Sequence, residues 1–218
     1  MEYRETSFIS HSHLLRMARL SQRTVDYAIK AYELKSIEAC RLVHQAQHDL
    51  CELQLRFGDQ GSTLNVANDF FDENAPPACF ALRLYGALLV TVTAATEIAQ
   101  NTLLILESDR ESESSISSYK EVENFINGLV RLYTVALFNR EIQHSRAILN
   151  ALSGHLWLAS TLDLDQIVIA RRAGSVAQFE LSIVRCLGQI AEQACEIADV
   201  ITMWLGGQDC PEIARWAA

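Results

Sequence analysis

The strongest constraint on this chain is a four-three spacing of apolar residues that recurs along most of its length. Leu14, Ala18, Ser21, Val25, Ala28 and Tyr32 form one stripe, widened by Met17, Leu20, Tyr27, Ala31 and Leu34. Such spacing gathers residues on one face of an α-helix, whereas a strand would alternate at every second residue. It predicts a first helix over residues 10–34. Ser36 is placed to cap a second, whose seam Ala39, Val43, Ala46, Leu50, Leu53 and Phe57 keeps the spacing until Gly58 and Gly61 are expected to end it.

A polar stretch closed by Pro76-Pro77 leads into a long apolar segment from Ala78 to Glu107. Its uncharged run, between Arg83 and Glu97, falls short of the roughly 20 apolar residues of a membrane span, so a buried core helix is expected and no insertion into a membrane. The serine-rich acidic stretch ESDRESESSISSYKE has almost nothing to bury and reads as a boundary. Three more helices are expected over 121–138, 140–159 and 174–205, the last stopped by Gly206-Gly207. Residues 1–107 thus form an expected first three-helix unit, 108–120 a polar linker and 121–218 a second unit.

The second unit repeats features of the first. Ile37, Arg41 and Ala46 find identical residues at Ile142, Arg146 and Ala151, a constant offset of 105. Ile98-Ala99 finds Ile190-Ala191 at an offset of 92, which requires a shorter connection in the second half. The identities agree in order and in helix number, so an all-α protein of two tandem three-helix bundle repeats is expected. No strand alternation or glycine-rich phosphate loop appears, which argues against dinucleotide-binding and P-loop chemistry.

Charge narrows the partners. Eighteen basic side chains against 27 acidic ones give a net charge of -9, which repels phosphate backbones and anionic lipid, so nucleic acid is not an expected partner. The six cysteines form no C-x-x-C pair and lie in helical stretches, where most of them read as buried small hydrophobes in a reducing compartment. The N-terminus has no secretory signal pattern, so a cytoplasmic location is expected.

Candidate catalytic and metal-ligating patterns are few. His44 and His48, with Cys40 one turn earlier, have chelating spacing, yet they project away from the Val43, Ala46 and Leu50 seam and read as exposed polar residues. Glu141 and His144 have the spacing of a di-iron helix, but a second such pair is missing, and Glu141 is expected in the first turn of helix five, where the helix dipole favours an acid. His144 and His155 stand about 16 Å apart along a helix and cannot share a small site. No serine or cysteine sits in a recognisable nucleophile turn, so no catalytic residue is assigned.

The segment from Glu180 to Asp199, ELSIVRCLGQIAEQACEIAD, resembles the last helix of PhoU-domain proteins, regulators in phosphate signalling. That family runs approximately A-R-x-L-E-R-I-[GA]-D-H-A-x-N-I-A-E in this place; the present chain has Arg185, Leu187, Ile190, Ala191, Ala194, Ile197 and Ala198 in register. Pro77 to Gln100 is similar to the corresponding helix of the first repeat, with Leu82-Arg83 and Ile98 in register. The family's E-x-x-x-D pattern sets two carboxylates one turn apart, a pair suited to a hard or borderline cation. Here those positions are Thr96 and Gln100 in the first copy and Gly188 and Glu192 in the second, so a complete family-type metal cluster is not expected. Glu192, Glu196 and Asp199 share a helix face and read either as a low-affinity site for a divalent or ferric ion or as a hydrated acidic edge.

The resemblance implies a non-enzymatic regulator of phosphate uptake or phosphate-responsive signalling, with a phosphate ABC transporter and a sensor histidine kinase as partners and a homodimer among its assembly states. Two other readings remain open: a diverged helical scaffold for a different partner, and a metal-binding helical bundle.

Overall fold

The computed structural model describes residues 11–62, 76–108, 119–154 and 175–207. The described residues form six α-helices and no strand: α1 (His11–Leu34), α2 (Ile37–Ser62), α3 (Ala78–Glu107), α4 (Tyr119–Asn139), α5 (Ile142–Gly154) and α6 (Ser175–Leu205). The expected helices three and six fall where the periodicity puts them. Helix two differs, because it continues through Gly58 and Gly61 to Ser62. Glycine costs a helix about 1 kcal/mol but removes no backbone donor, so unlike proline it does not force a stop. Helix four begins at Tyr119, so the last two residues of the expected 108–120 linker are helical. Residues 155–159 of the expected fifth helix, and His155 with them, lie outside the described residues.

Helix directions follow from side-chain pairs. Ser21 Oγ and Tyr133 OH are 2.7 Å apart, and Glu33 lies 3.5 Å from the Lys120 ammonium, so α1 and α4 run antiparallel. Arg83 meets Glu196 while Ser182 donates to Glu97, so α3 and α6 run antiparallel as well. Within the first half α1 packs on α2 and α3, and α2 on α3; within the second α4 packs on α5 and α6, and α5 on α6. Each packing in one half therefore has its counterpart in the other. The halves meet through α1 against α4 and, most extensively, α3 against α6.

The same turn also recurs. Lys35 (φ 49°) and Arg140 (φ 55°) both adopt the left-handed conformation after a helix end. The next backbone N–H then reaches back five residues, from Ser36 to the Ala31 carbonyl and from Glu141 to the Ala136 carbonyl. This is the hydrogen bond of a Schellman C-cap, and the two copies stand at the offset of 105 marked by the sequence identities. Ser36 then caps α2 by accepting from the Ala39 N–H at 3.2 Å. Glu141 stands immediately before α5 rather than in its first turn, with His144 Nδ1 3.0 Å from its carboxylate.

α3 is the one helix among the described residues long and apolar enough to cross a membrane, yet 56% of its most apolar window is buried against α1, α2 and α6. Its hydroxyls are absorbed locally: Thr91, Thr96 and Thr102 each donate to the carbonyl four residues back. Small buried residues, Ala87, Ala94, Ala95 and Ala99 on α3 and Ala191, Ala194 and Ala198 on α6, allow the two central helices a close approach.

The cysteines divide by depth. Cys40 and Cys186 are buried, Cys79 and Cys195 half-buried, and Cys51 is exposed; Cys210 lies outside the described residues. Burial, aided by the Glu97 charge, pushes the Cys186 thiol up to about 12, and burial raises Cys40 also. Iodoacetamide on the native protein should therefore alkylate Cys51 and leave Cys40 and Cys186 unmodified, as read by peptide mass mapping; rapid modification of Cys186 would contradict this packing.

Candidate functional site

The segments that carry the family resemblance meet along the α3–α6 seam. Toward the N-terminal part of α3, the Arg83 guanidinium donates from Nε and Nη2 to Glu196 Oε1 at 3.0 and 2.6 Å. The pair is partly sheltered, with 21% of the Arg83 side chain and 39% of that of Glu196 exposed. Asp199 is half-buried one turn further on. Its carboxyl is held above the usual range by burial and by the Glu196 charge, and Arg83 opposes both. Burial and the same two acids raise the Cys195 thiol.

Further along the seam, Glu97 Oε1 accepts from Ser182 Oγ at 2.8 Å, and Asn101 Nδ2 donates to Ser182 Oγ and to the Glu97 carbonyl. Beside this network lies a groove of about 340 Å³ lined by Gln47, Thr93, Thr96, Glu97, Gln100, Asn101 and Leu104. Thr96 and Gln100, at the first-copy carboxylate positions of the resembling family, thus face a groove furnished mainly with amides and hydroxyls. Thr96 is buried and its hydroxyl is committed to the Val92 carbonyl, while Gln100 is exposed. In the second copy Gly188 has no side chain to offer, and Arg185 and Glu192 are both exposed.

These residues do not fit the paired-carboxylate cation site that the fold family implies. Glu97 is the single carboxylate on the groove and already accepts a hydrogen bond, and Glu196 is engaged by a guanidinium. A cation at Glu192, Glu196 and Asp199 would compete with Arg83 for the middle acid. Among the described residues no group of three or more His, Cys, Asp and Glu side chains is placed to hold a metal ion. Cys40 is turned away from His44 and His48 into the core, 3.6 Å from the Ala99 carbonyl, and exposed His48 lies 3.6 Å from Glu52.

Arg83 and Glu196 are thus brought together and Thr96 and Gln100 share one groove, while Arg185 and Glu192 lie exposed on α6 and Gly188 brings no side chain. Sequence reasoning missed Glu97, Asn101 and Ser182. Their signal was present: Asn101 and Ser182 fall on helix faces that turn toward a neighbour rather than toward water.

The Arg83–Glu196 link has a measurable worth. As a charge-assisted, half-exposed pair it is expected to contribute about 1 kcal/mol. Arg83→Met and Glu196→Gln should each lower stability by about that amount, with the double variant little worse than either single one. Strictly additive losses in denaturant unfolding would show that the pair does not couple α3 to α6.

Comparison with solved structures places the architecture. Among the described residues the fold is all-α, with six helices in a PhoU-like arrangement. The chain is similar to the crystal structure of PhoU from Pseudomonas aeruginosa, with a TM-score of 0.60 and 15% identity over 90% of this chain and 95% of that one. It is likewise similar to the phosphate transport system regulatory protein PhoU from Streptococcus pneumoniae, with a TM-score of 0.67 and 13% identity over 90% of this chain and 93% of the other. No protein-family model matches the sequence. No curated protein matches it significantly.

Proposed function

We propose that this chain is a non-enzymatic regulator of phosphate uptake and phosphate-responsive signalling that acts through protein contacts. The observation that carries the reading is the structural similarity, over 90% of the chain, to two PhoU structures, one titled as a phosphate transport system regulatory protein. The two halves, residues 1–107 and 121–218, are read as copies of one three-helix unit, supported by their matched packing and by the recurring turn at Lys35 and Arg140. A regulator of this kind needs only different affinities for two states of its partner, which a rigid helical surface can supply. The partners in this reading are a phosphate ABC transporter and a sensor histidine kinase, and the location is the cytoplasm.

Affinity capture from native cells grown in ample phosphate tests it. Recovery of a phosphate-transporter ATPase or a sensor kinase is the expected result. Failure to recover either, beside reproducible capture of an unrelated protein, would overturn it.

One observation favours a second reading, a helical scaffold with a changed partner. The family's carboxylate pairs are replaced by Thr96, Gln100 and Gly188, so whatever those pairs did is not asked of this chain. A low-affinity divalent or ferric ion at Glu192, Glu196 and Asp199 belongs to a third, metal-binding reading with its own test. Replacing Glu192 and Glu196 by glutamine should then abolish metal content measured on the purified protein, and unchanged content would remove the site.

A further inference from the structure

At the end of the bundle where the α1–α2 turn meets the starts of α4 and α6, the fold buries charges that no core needs. Glu123, in the second turn of α4, is 5% exposed, and Glu180, in the second turn of α6, is 3% exposed. Lys35 belongs to the turn itself, and its Nζ is shut off from solvent without a hydrogen-bond partner and lies 3.9 Å over the Tyr32 ring. Burial lowers the Lys35 ammonium and raises the Tyr32 phenol, and Glu180 and Glu123 act on both through space. At the rim, Glu33 pairs with Lys120 at 3.5 Å.

One buried ammonium faces two buried carboxylates, and protonation of Glu123 balances the charge. With both ionised the cluster carries an uncompensated negative charge in a medium that screens poorly, which favours opening to water. The charges acting on Glu123 are Glu33 of α1, Lys35 of the turn and Lys120 of its own helix, and Glu180 of α6 faces the same lysine and tyrosine.

We propose that Glu123, Lys35 and Glu180 form a proton-operated latch that holds the starts of α4 and α6 against the α1–α2 turn, closed while Glu123 is protonated and loosened when it ionises. Burial, then the Glu33 charge, raises Glu123 to about 7, with Lys120 and Lys35 opposing. The sign follows from linkage. A carboxyl raised in the folded state adds stability that is complete below the ordinary glutamate range and is lost as pH climbs through the folded value. The window is therefore bounded by the ordinary glutamate value of 4.5 and the folded value of about 7. The latch goes beyond the phosphate reading and does not depend on it.

Amide hydrogen exchange on the whole chain tests the latch. After correction for intrinsic rates, protection in the first turns of α4 and α6 should fall about tenfold between roughly pH 6 and 8 in the wild type, and stay level in Glu123→Gln, which mimics the protonated acid. Level protection in the wild type, or an equal fall in Glu123→Gln, would overturn the proposal. Should the variant not fold, carbon-13 titration of the Glu123 carboxyl in the wild type decides it: a midpoint near 7 is expected, and one near the ordinary value of 4.5 refutes it.

Discussion

Tyr133→Ala is expected to be among the most damaging single truncations in the bundle, costing about 3–5 kcal/mol, the range for deleting a large buried aromatic. Tyr133 is fully buried where α4 crosses α1, and its hydroxyl meets Ser21 Oγ at 2.7 Å. The truncation therefore opens a cavity and strands the buried Ser21 hydroxyl. In a domain of this size the loss corresponds to a fall in melting temperature of about 10 °C. Tyr133→Phe keeps the ring and should cost only about 1–2 kcal/mol, the penalty of the orphaned serine. If the two variants melted alike, the ring would not be packed as described; if Tyr133→Phe were silent, the hydrogen bond would be absent in solution.

The second large effect lies on the two central helices. Ile98 on α3 is 1% exposed and Ile190 on α6 is fully buried, and each belongs to an Ile-Ala pair that recurs between the halves. Each truncation to alanine should cost about 2–5 kcal/mol, because close-packed neighbours cannot collapse fully into the space left. In the antiparallel seam Ile190 lies opposite the middle of α3 rather than opposite Ile98. The two sites are therefore separate and their losses should add in denaturant unfolding. A cost below 1 kcal/mol for either would contradict the central position given to α3 and α6.

Most of the architecture was legible because burial in a helical bundle writes itself as periodicity. The stripe from Leu14 to Tyr32 is the buried face of α1, and the Val43, Ala46 and Leu50 seam is buried on α2. The offset of 105 came from three identities on α2 and α5, and the matched turns at Lys35 and Arg140 repeat it in backbone conformation. That match was not readable beforehand, because a left-handed residue after a helix is signalled by glycine or asparagine and here it is a lysine and an arginine. The same offset sets Ala28 at the place of Tyr133 and Ile126 at that of Ser21, all four buried. Positions paired at this offset thus differ in volume while staying buried, so identity counts do not register the match.

The candidate site was less legible, for a physical reason. Periodicity tells which face of a helix is covered, not which polar residue of another helix arrives there. Arg83 was singled out for its place in a motif and Glu196 for its place on an acidic helix face, yet their mutual ion pair depends on the antiparallel register of α3 on α6, which neither segment encodes alone. Glu123 and Glu180 carried a signal that passed unread, an acid placed on an apolar stripe. Val184 and Leu187 follow Glu180 at the spacing of one face, as Ile126 and Val130 follow Glu123, and all four are buried.

The most direct measurement of the central claim is phosphate uptake by the native organism after deletion of this chain's coding sequence, with cells kept in ample phosphate. A regulator that restrains uptake through contact with a transporter and kinase predicts uptake released from repression in the deletion strain and restored by the wild-type chain. Uptake unchanged by deletion, at low and at high external phosphate alike, would contradict the account and leave the PhoU-like bundle as a scaffold for another partner.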